Sequence, residues 1–121
     1  MIDIDDFKSY NDSFGHIEGD NLLKEIGRIF EENVRETDIV CRYAGDEFCA
    51  ILPNTNVDGI KSVAEKVIST VAAFAFKCQV TISIGAAMYE DGMIKKDFLA
   101  KADKALYQAK HSGKNQVVIF P

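Results

Sequence analysis

The chain has 121 residues, of which 47% are hydrophobic and 27% charged, and its formal net charge at pH 7 is -5. This length is enough for one domain whose buried core needs no metal or disulfide for stability. Because nucleic-acid-binding faces are basic, the acidic balance excludes a nucleic-acid polymer as the expected partner but allows a small phosphorylated ligand. The longest apolar run, residues 71–76, is far shorter than the roughly 20 residues of a membrane helix, and no signal peptide is visible. We therefore expect a cytoplasmic chain, whose longer parent protein could still be attached to a membrane.

The first residues predict the tail of a strand that ends in acidic side chains. Residues 1–2 are apolar, and Asp3, Asp5 and Asp6 follow them. The polar stretch of residues 7–16 then predicts a short helix and a loop that border these acids.

Apolar residues on one helical face predict three amphipathic helices in the rest of the chain. The first covers residues 20–34, the second follows the turn at residues 53–56, and the third runs from about residue 97 to residue 111. Gly113 is the expected C-terminal cap of the third helix. Further strands are predicted at residues 79–87 and 117–120.

The segment between the first two helices predicts a β-hairpin with an acidic tip. Residues 39–43 and 48–52 are rich in β-branched and aromatic side chains, and the turn between them contains Gly45, Asp46 and Glu47. A charged hairpin tip is most often only a soluble turn. A second acidic strand end in the same chain nevertheless favours a shared cation site, because carboxylates about 4 Å apart repel by roughly 4 kcal/mol at an effective dielectric near 20.

The ligand chemistry of the two acidic segments indicates a hard divalent cation. The acidic cluster and the turn contain neither cysteine nor histidine, and oxygen ligands favour Mg²⁺ or Mn²⁺ over zinc. Mg²⁺ commonly takes one or two carboxylates and completes its shell with water and substrate phosphates. A phosphate-bearing substrate is therefore expected.

The order strand, helix, hairpin, helix, strand, helix, strand predicts a single α/β domain over residues 1–121. We expect a mixed central sheet flanked by helices, with the antiparallel hairpin in a central position where it faces the first strand. This arrangement would bring Asp3 near Asp46.

The cysteine content predicts no disulfide. Cys41, Cys49 and Cys78 are odd in number, show no paired ligand spacing and lie in strand-like runs. We expect them to be buried free thiols in a reducing compartment.

Three motifs, in this order, carry a family resemblance. They are Asp3-Ile4-Asp5-x-Phe7-Lys8-x-x-Asn11-Asp12-x-x-Gly15-His16-x-x-Gly19-Asp20, Arg42-Tyr43-Ala44-Gly45-Asp46-Glu47-Phe48, and Ala102-Asp103-x-Ala105-Leu106-Tyr107-x-Ala109-Lys110-x-x-Gly113-Lys114-Asn115. Together they run through nearly the whole chain, and the chain resembles the GGDEF family of diguanylate cyclases. The resemblance implies a nucleotide-cyclase, palm-like fold with a ferredoxin-like core. It also implies a signalling enzyme that condenses two GTP molecules into cyclic di-GMP, with one GTP on each protomer of a homodimer.

The resemblance further assigns roles to individual residues. Asp3 and Asp46 would bind the metal with their carboxylates and Ile4 with its carbonyl, and Glu47 would either bind metal or deprotonate the attacking ribose hydroxyl. The catalytic pair would thus be Asp46 and Glu47. The residues expected to contact the substrate are Asn11 and Asp20 at guanine, Leu23 beneath the base, and Lys8, Phe7, Gly45, Lys110 and Lys114 around the phosphates.

The residue chemistry agrees with this assignment. Phosphoryl transfer to a hydroxyl depends on positioning and charge neutralisation more than on a protein nucleophile. An amide beside a carboxylate suits guanine, because adenine would leave these groups unpaired.

A second site is expected at Arg35 and Asp38, which match the RxxD position where family members bind cyclic di-GMP as a product inhibitor. Five residues separate Asp38 from Ala44, and this spacing supports the assignment. The alternative is an ordinary surface ion pair at a helix end, which contributes little to stability.

The chain departs from the family pattern in three ways. Ala44 replaces the first signature glycine, which costs little at negative φ and much at positive φ. Lys114 stands where arginine is common, so the charge is kept but the planar fork is lost. The family's N-terminal helix and part of its first strand have no counterpart here, so we expect a fragment that is weak or inactive alone and that follows a sensory domain in its parent.

Two other functions remain open at this point. The chain could be a catalytically silent module that senses GTP or cyclic di-GMP. It could also, with less support, be a phosphoacceptor domain that uses Asp5 and Asp6, although that hypothesis leaves the hairpin acids unexplained.

Overall fold

The computed structural model describes all residues, 1–121, as five strands and four helices. In chain order they are β1 (Ile2–Ile4), α1 (Phe7–Phe14), α2 (His16–Asn33), β2 (Ile39–Ala44), β3 (Glu47–Ile51), α3 (Val57–Ala73), β4 (Ile82–Ala86), α4 (Lys95–His111) and β5 (Val117–Ile119). The predicted order of elements is confirmed. None of the helices combines the length and the apolar character that a membrane span requires.

The strands form one mixed sheet in the order β2-β3-β1-β4-β5. Strand β1 is antiparallel to both of its neighbours, with Ile2 opposite Phe48 on one side and Ile84 on the other, whereas β4 and β5 are parallel and joined through α4. The mixed α/β sheet is therefore confirmed, but the central position predicted for the hairpin is wrong. Strand β1 takes the centre because Ile2 and Ile4 are fully buried, whereas β2 forms an edge and is largely exposed.

Alternation along the central strands separates two faces of the sheet. Ile2, Ile4 and Ile84 belong to the main apolar core, which also includes side chains of α1, α2 and α3. Asp3 and Ser83 lie on the opposite face, which α4 covers. The polar side chain of β1 therefore faces α4.

Some element boundaries differ from those predicted. Helix α2 begins at His16, four residues before the predicted start. The prediction missed its first turn because the only large apolar side chain there, Ile17, is exposed and does not extend the buried stripe. Strand β4 begins at Ile82 instead of residue 79. The prediction of buried thiols is wrong: Cys41 and Cys78 are exposed and Cys49 is half-buried. The edge strand β2 leaves Cys41 uncovered, and Cys78 lies outside any strand.

Candidate active site

The end of β1 and the β2–β3 turn bring two acids together. Asp3 is the cross-strand partner of Glu47, and the amide of Ile4 donates to the Asp46 carbonyl at 3.3 Å. Burial raises the pKa of Asp3 to about 6, and the adjacent Asp46 carboxyl adds to this effect while Lys110 opposes it. The two carboxyl groups are therefore close enough for the charge of one to act on the other.

The turn that carries Asp46 is built on Gly45, whose φ is +51°. Glycine takes this conformation without steric cost. Arg42 braces the turn by donating from Nε to the Gly45 carbonyl at 2.7 Å. Ala44 lies inside β2 and is not among the residues with positive φ. The replacement of a signature glycine by alanine therefore introduces no backbone strain.

Lys110, in the last turn of α4, places its ammonium group among the oxygens of β1. Its Nζ donates to Asp5 Oδ1 at 2.7 Å and to the Ile4 carbonyl at 3.3 Å, and it lies 3.4 Å from Asp3 Oδ2. One cation thus contacts two of the groups expected to bind metal. It partly compensates the negative charge that β1 concentrates here.

Asp5 is a buried anchor for this lysine. Thr81 and Ser83 donate their hydroxyls to its two oxygens at 2.7 and 2.8 Å, and the amide of Asn115 donates at 3.1 Å. Burial alone would raise the pKa of Asp5, but the hydrogen bonds from Lys110 and these hydroxyls hold it below its usual value. A carboxylate with these bonds has no exposed oxygen to accept a phosphoryl group, which argues against Asp5 as a phosphoacceptor and leaves only the exposed Asp6 for that hypothesis.

Sequence reasoning missed the role of Thr81 and Ser83. The signal was available in principle, because two hydroxyl residues spaced by two positions in an apolar strand lie on one face and need a buried partner. Nothing in the local sequence identified Asp5 as that partner, since it lies 76 positions from Thr81 along the chain.

Lys114 lies on a loop with an unusual backbone. Gly113, Lys114 and Asn115 all have positive φ, at +112°, +60° and +49°. The C-cap of α4 is Ser112. Gly113 was predicted to be this cap and instead follows it by one position. The loop points Lys114 Nζ at Asp6 Oδ1, 2.9 Å away. A second ammonium group therefore lies at the border of the acidic site.

The predicted guanine contacts lie on α1 and α2. A Cβ built at Gly19 would come within 1.7 Å of Asn11 Oδ1, so the amide of Asn11 rests directly against the α2 backbone. Its Oδ1 is buried and has no hydrogen-bond partner. Asp20 is exposed, and Leu23 is buried one helical turn further along.

The remaining predicted contacts occupy α1. Lys8 is exposed on this helix, whereas Phe7 is half-buried and packs against the apolar core. The ring of Phe7 is therefore a structural group, and only its backbone remains available for a ligand.

The carboxylates suit a divalent cation held jointly with a ligand. No group of three or more histidine, cysteine, aspartate or glutamate side chains comes together here. Asp3 Oδ1, however, is buried without any hydrogen-bond partner, beside the Asp46 carboxyl group. Two carboxylates and one carbonyl are typical of an Mg²⁺ that takes its other ligands from water and phosphate.

Arg35 and Asp38 lie in the short connection between α2 and β2. Arg35 donates from Nη2 to Asp38 Oδ1 at 3.1 Å, to the Pro53 carbonyl at 2.8 Å and to Thr55 Oγ1 at 2.7 Å. The Arg35 side chain is still 57% exposed, whereas that of Asp38 is covered. Both residues line a cleft of about 270 Å³.

Comparison with known proteins places the chain in a family. Diguanylate cyclase A of Treponema denticola is 40% identical over an alignment of 125 positions, which covers 98% of this chain and 34% of that protein. The chain spans about a third of the length of such curated relatives, or less.

Two solved structures have the same fold. The coiled coil and GGDEF domain of DgcB from Caulobacter crescentus, in complex with c-di-GMP, matches with a TM-score of 0.94 at 27% identity over 98% of this chain and 66% of that one. SiaD from Pseudomonas aeruginosa, a diguanylate cyclase in complex with its activator SiaC, matches with a TM-score of 0.93 at 36% identity over 98% of this chain and 47% of that one.

The family model described as "Diguanylate cyclase, GGDEF domain" matches residues 1–116. This match covers all three motifs and confirms the resemblance. The chain therefore belongs to the GGDEF family, the family of the diguanylate cyclase GGDEF domain.

Proposed function

We propose that this domain condenses two GTP molecules into cyclic di-GMP, with Mg²⁺ or Mn²⁺ bound at the β1 end. The observation that carries the proposal is the shared site of Asp3 and Asp46, with a buried, unpartnered Asp3 oxygen and a raised Asp3 pKa. Acids in contact need a positive partner, and metal-assisted phosphoryl transfer uses such a pair.

The metal ligands proposed are the carboxylates of Asp3 and Asp46 and the carbonyl of Ile4. The ion, when bound, supplies positive charge to the attacking and leaving oxygens. Glu47 lies across from Asp3 in the sheet, a position that suits either a further ligand or the base that deprotonates the ribose hydroxyl. Its role stays a prediction.

The phosphates are proposed to lie against the ammonium groups of Lys110 and Lys114, with Lys8 approaching from α1. Asp5 and Asp6 hold the first two lysines on the side of β1 that carries Asp3. No atom lies within 4 Å of a Cβ built at Gly45, which leaves open space beside the turn. That space and the backbone of Phe7 allow a close approach of phosphate.

Guanine is proposed to bind between α1 and α2. The unpartnered Asn11 Oδ1 can accept a hydrogen bond from the base, and the exposed carboxylate of Asp20 can accept another from its ring N–H. Buried Leu23 supplies an apolar floor. Both polar groups prefer guanine, because adenine presents a different edge.

The reaction needs two such domains. One protomer holds one GTP, and the 3′-hydroxyl of each GTP attacks the α-phosphorus of the other. Each attack forms one P–O bond and releases one pyrophosphate, so two attacks close the cyclic product. A homodimer that brings two of these sites face to face is therefore part of the proposal, as is a sensory domain in the full protein that controls the pairing.

Product inhibition is proposed at Arg35 and Asp38. The exposed Arg35 guanidinium is fixed beside a cleft by Asp38 and Thr55. Guanidinium groups bind phosphate or guanine with two parallel hydrogen bonds. Cyclic di-GMP, which offers both, is the proposed occupant.

The deciding experiment incubates the full-length parent protein with GTP and Mg²⁺ at concentrations that favour dimers and detects cyclic di-GMP by mass spectrometry. We expect product from the wild type and a loss of at least about 100-fold in Asp46→Asn, as for removal of a group that stabilises transition-state charge. Asp91→Asn, which alters an exposed loop acid, is the matched control and should keep full activity. An active Asp46→Asn would remove this residue from the mechanism.

Calorimetry separates the cyclase from the silent sensor. Binding of GTP or cyclic di-GMP with no turnover, even in dimers, would contradict the cyclase and favour the sensor. Turnover that disappears when the divalent ion is chelated would support the proposed mechanism.

A further inference from the structure

Two of the three cysteines face each other across the hairpin. Cys41 in β2 and Cys49 in β3 are direct cross-strand partners, so their side chains extend from the same face of the sheet. Opposite residues in an antiparallel pair have Cα atoms about 4.5 or 5.5 Å apart. Both values lie within the range of about 4.4–6.8 Å that a disulfide accepts.

The two thiols have different surroundings. Cys49 is half-buried and packs against a small apolar cluster of Met1, Ala102 and Leu106 beneath α4. Burial raises the pKa of Cys49, and the neighbouring Cys41 thiol adds to this effect although the N-terminal amino group opposes it. Cys41 lies on the uncovered edge strand and is exposed.

This asymmetry defines an order of events. An oxidant in solution reaches the exposed Cys41 first, and the half-buried Cys49 is already in position to react with the product. Reactive redox cysteines are commonly exposed and have a second, resolving cysteine next to them. Disulfides in reducing compartments are typically transient and redox-sensing.

We propose that Cys41 and Cys49 are a redox-responsive pair, which a hydroperoxide converts into an intramolecular disulfide that closes a ring around the acidic turn. Cys78 has no part in it, because it lies outside the sheet.

The chemistry balances with one hydroperoxide. The Cys41 thiolate attacks hydrogen peroxide, so that an S–O bond forms and the O–O bond breaks. Cys41 becomes a sulfenic acid, and one water is released. The thiol of Cys49 then gives up its proton and attacks the sulfenic sulfur, so that an S–S bond forms and the S–O bond breaks with loss of a second water. Two thiols are oxidised and one peroxide is reduced to two waters.

The ring would enclose the residues that the proposed reaction uses. Asp46 and Glu47 lie between the two cysteines, together with the strand irregularity between Arg42 and Ala44. Directly opposite Cβ atoms are about 4.5–5.5 Å apart, whereas a disulfide needs about 3.8 Å. Drawing the strands together would move the turn relative to β1. This consequence rests on the proposed function, but formation of the disulfide does not.

Trypsin gives a direct assay, since Arg42 lies between the two cysteines. After treatment with hydrogen peroxide, free thiols are alkylated in denaturant and the protein is digested without reductant. We expect residues 36–42 joined to residues 43–61 by a bond that dithiothreitol breaks. Cys78 should appear alkylated in the peptide of residues 78–95.

Matched variants test the pairing. Cys78→Ser should leave the cross-link unchanged, and Cys41→Ser and Cys49→Ser should each abolish it. Cross-links that include Cys78, cross-links between two chains, or Cys41 oxidised to sulfinic acid beside a free Cys49 would each overturn the proposal.

A second arm measures the consequence for turnover. We expect peroxide to lower cyclic di-GMP synthesis about tenfold or more, since misplacement of reacting groups by about 1 Å can cost 100-fold, and dithiothreitol to restore it. Cys41→Ser should be insensitive to peroxide. A cross-linked protein with unchanged turnover would overturn the regulatory effect, whereas a reduced protein with no turnover would contradict the proposed function and leave the cross-link standing.

Discussion

Two buried oxygen atoms without partners mark the two ends of the proposed nucleotide site. They are Asp3 Oδ1 at the carboxylate pair and Asn11 Oδ1 between α1 and α2. A buried polar group without a hydrogen bond costs about 1–3 kcal/mol. Each of these atoms therefore lowers the stability of the ligand-free domain, and a metal or a base that supplies the missing partner would recover that free energy as binding.

The position of Asn11 depends on a glycine in the facing helix. Gly19→Ala would place its Cβ 1.7 Å from the present position of Asn11 Oδ1, so the amide must rotate away. We expect GTP affinity to fall about fivefold or more, because a lost hydrogen bond to the base costs about 1 kcal/mol or more. Calorimetric titration with GTP in Mg²⁺ measures the change.

Gly27→Ala is the matched control in the same helix. Its Cβ would meet only the ring of Phe48, at an ordinary 3.9 Å. Alanine is favoured over glycine in a helix by about 1 kcal/mol. This variant should therefore unfold at a higher temperature than the wild type and bind GTP with the same affinity. Equal GTP affinity in Gly19→Ala and Gly27→Ala would remove Asn11 from the site.

At the scale of elements, Asp5 joins parts of the fold that are distant in sequence. It extends from the end of β1 and accepts hydrogen bonds from β4, from α4 through Lys110, and from the amide of Asn115 ahead of β5. Its stabilising contribution follows from its low pKa. Because the folded protein holds this proton more weakly than the unfolded chain, the contribution is complete above about pH 4, the usual value for aspartate. It is lost as pH falls through the lower folded pKa.

Asp5→Asn should therefore lower the free energy of unfolding at pH 7 by about 2 kcal/mol or more, the size of a hydrogen bond to a charged group. The difference from the wild type should shrink below about pH 4, where Asp5 becomes protonated first in the unfolded chain and then, at its lower pKa, in the folded protein. Urea denaturation at several pH values measures both effects. Asp12→Asn, an exposed acid on α1, should change neither. A difference that grows on acidification would contradict this account.

At the scale of the whole molecule, the sequence predicted the elements and the pairing of the hairpin with the first strand, but not the full order of the strands. The apolar repeats of α2 and α3 are strong enough to locate these helices within a few residues. Strand order depends on pairing between distant segments. The sequence pattern within β2 does not indicate that this strand lies at an exposed edge of the sheet. The hairpin was therefore predicted at the centre, where β1 lies.

The residues of the candidate site also fall into those that the sequence could identify and those that it could not. Motif residues such as Asp46 and Asn11 could be named from the sequence because the family resemblance supplied them. The network around Asp5 could not be predicted, since its partners come from three separate parts of the chain. Register alone revealed that Cys41 and Cys49 are opposite each other, because cysteine spacing does not specify how two strands pair.

The packing of α4 on β4 connects the groups proposed to bind metal to the lysine proposed to bind phosphate. At Gly85 a Cβ would lie 2.0 Å from the Leu106 amide nitrogen and 2.3 Å from the Ala102 carbonyl oxygen, so helix and strand touch through their backbones. Backbone atoms cannot rotate away as a side chain can. Gly85→Ala must therefore push α4 off the sheet, and with it Lys110, whose ammonium reaches the oxygens of β1 only in the present position.

We expect Gly85→Ala to destabilise the domain by about 3 kcal/mol or more, the upper part of the range for overpacked cores. This loss corresponds to a fall in Tm of more than about 10 °C for a domain of this size, measured by thermal denaturation against Gly27→Ala. If the variant still folds in the cold, its GTP affinity should be lower than that of the wild type, since Lys110, which is proposed to bind phosphate, moves with α4. A Tm within a few degrees of the wild type would show that α4 can slide without cost, and the coupling between helix packing and the nucleotide site would then be absent.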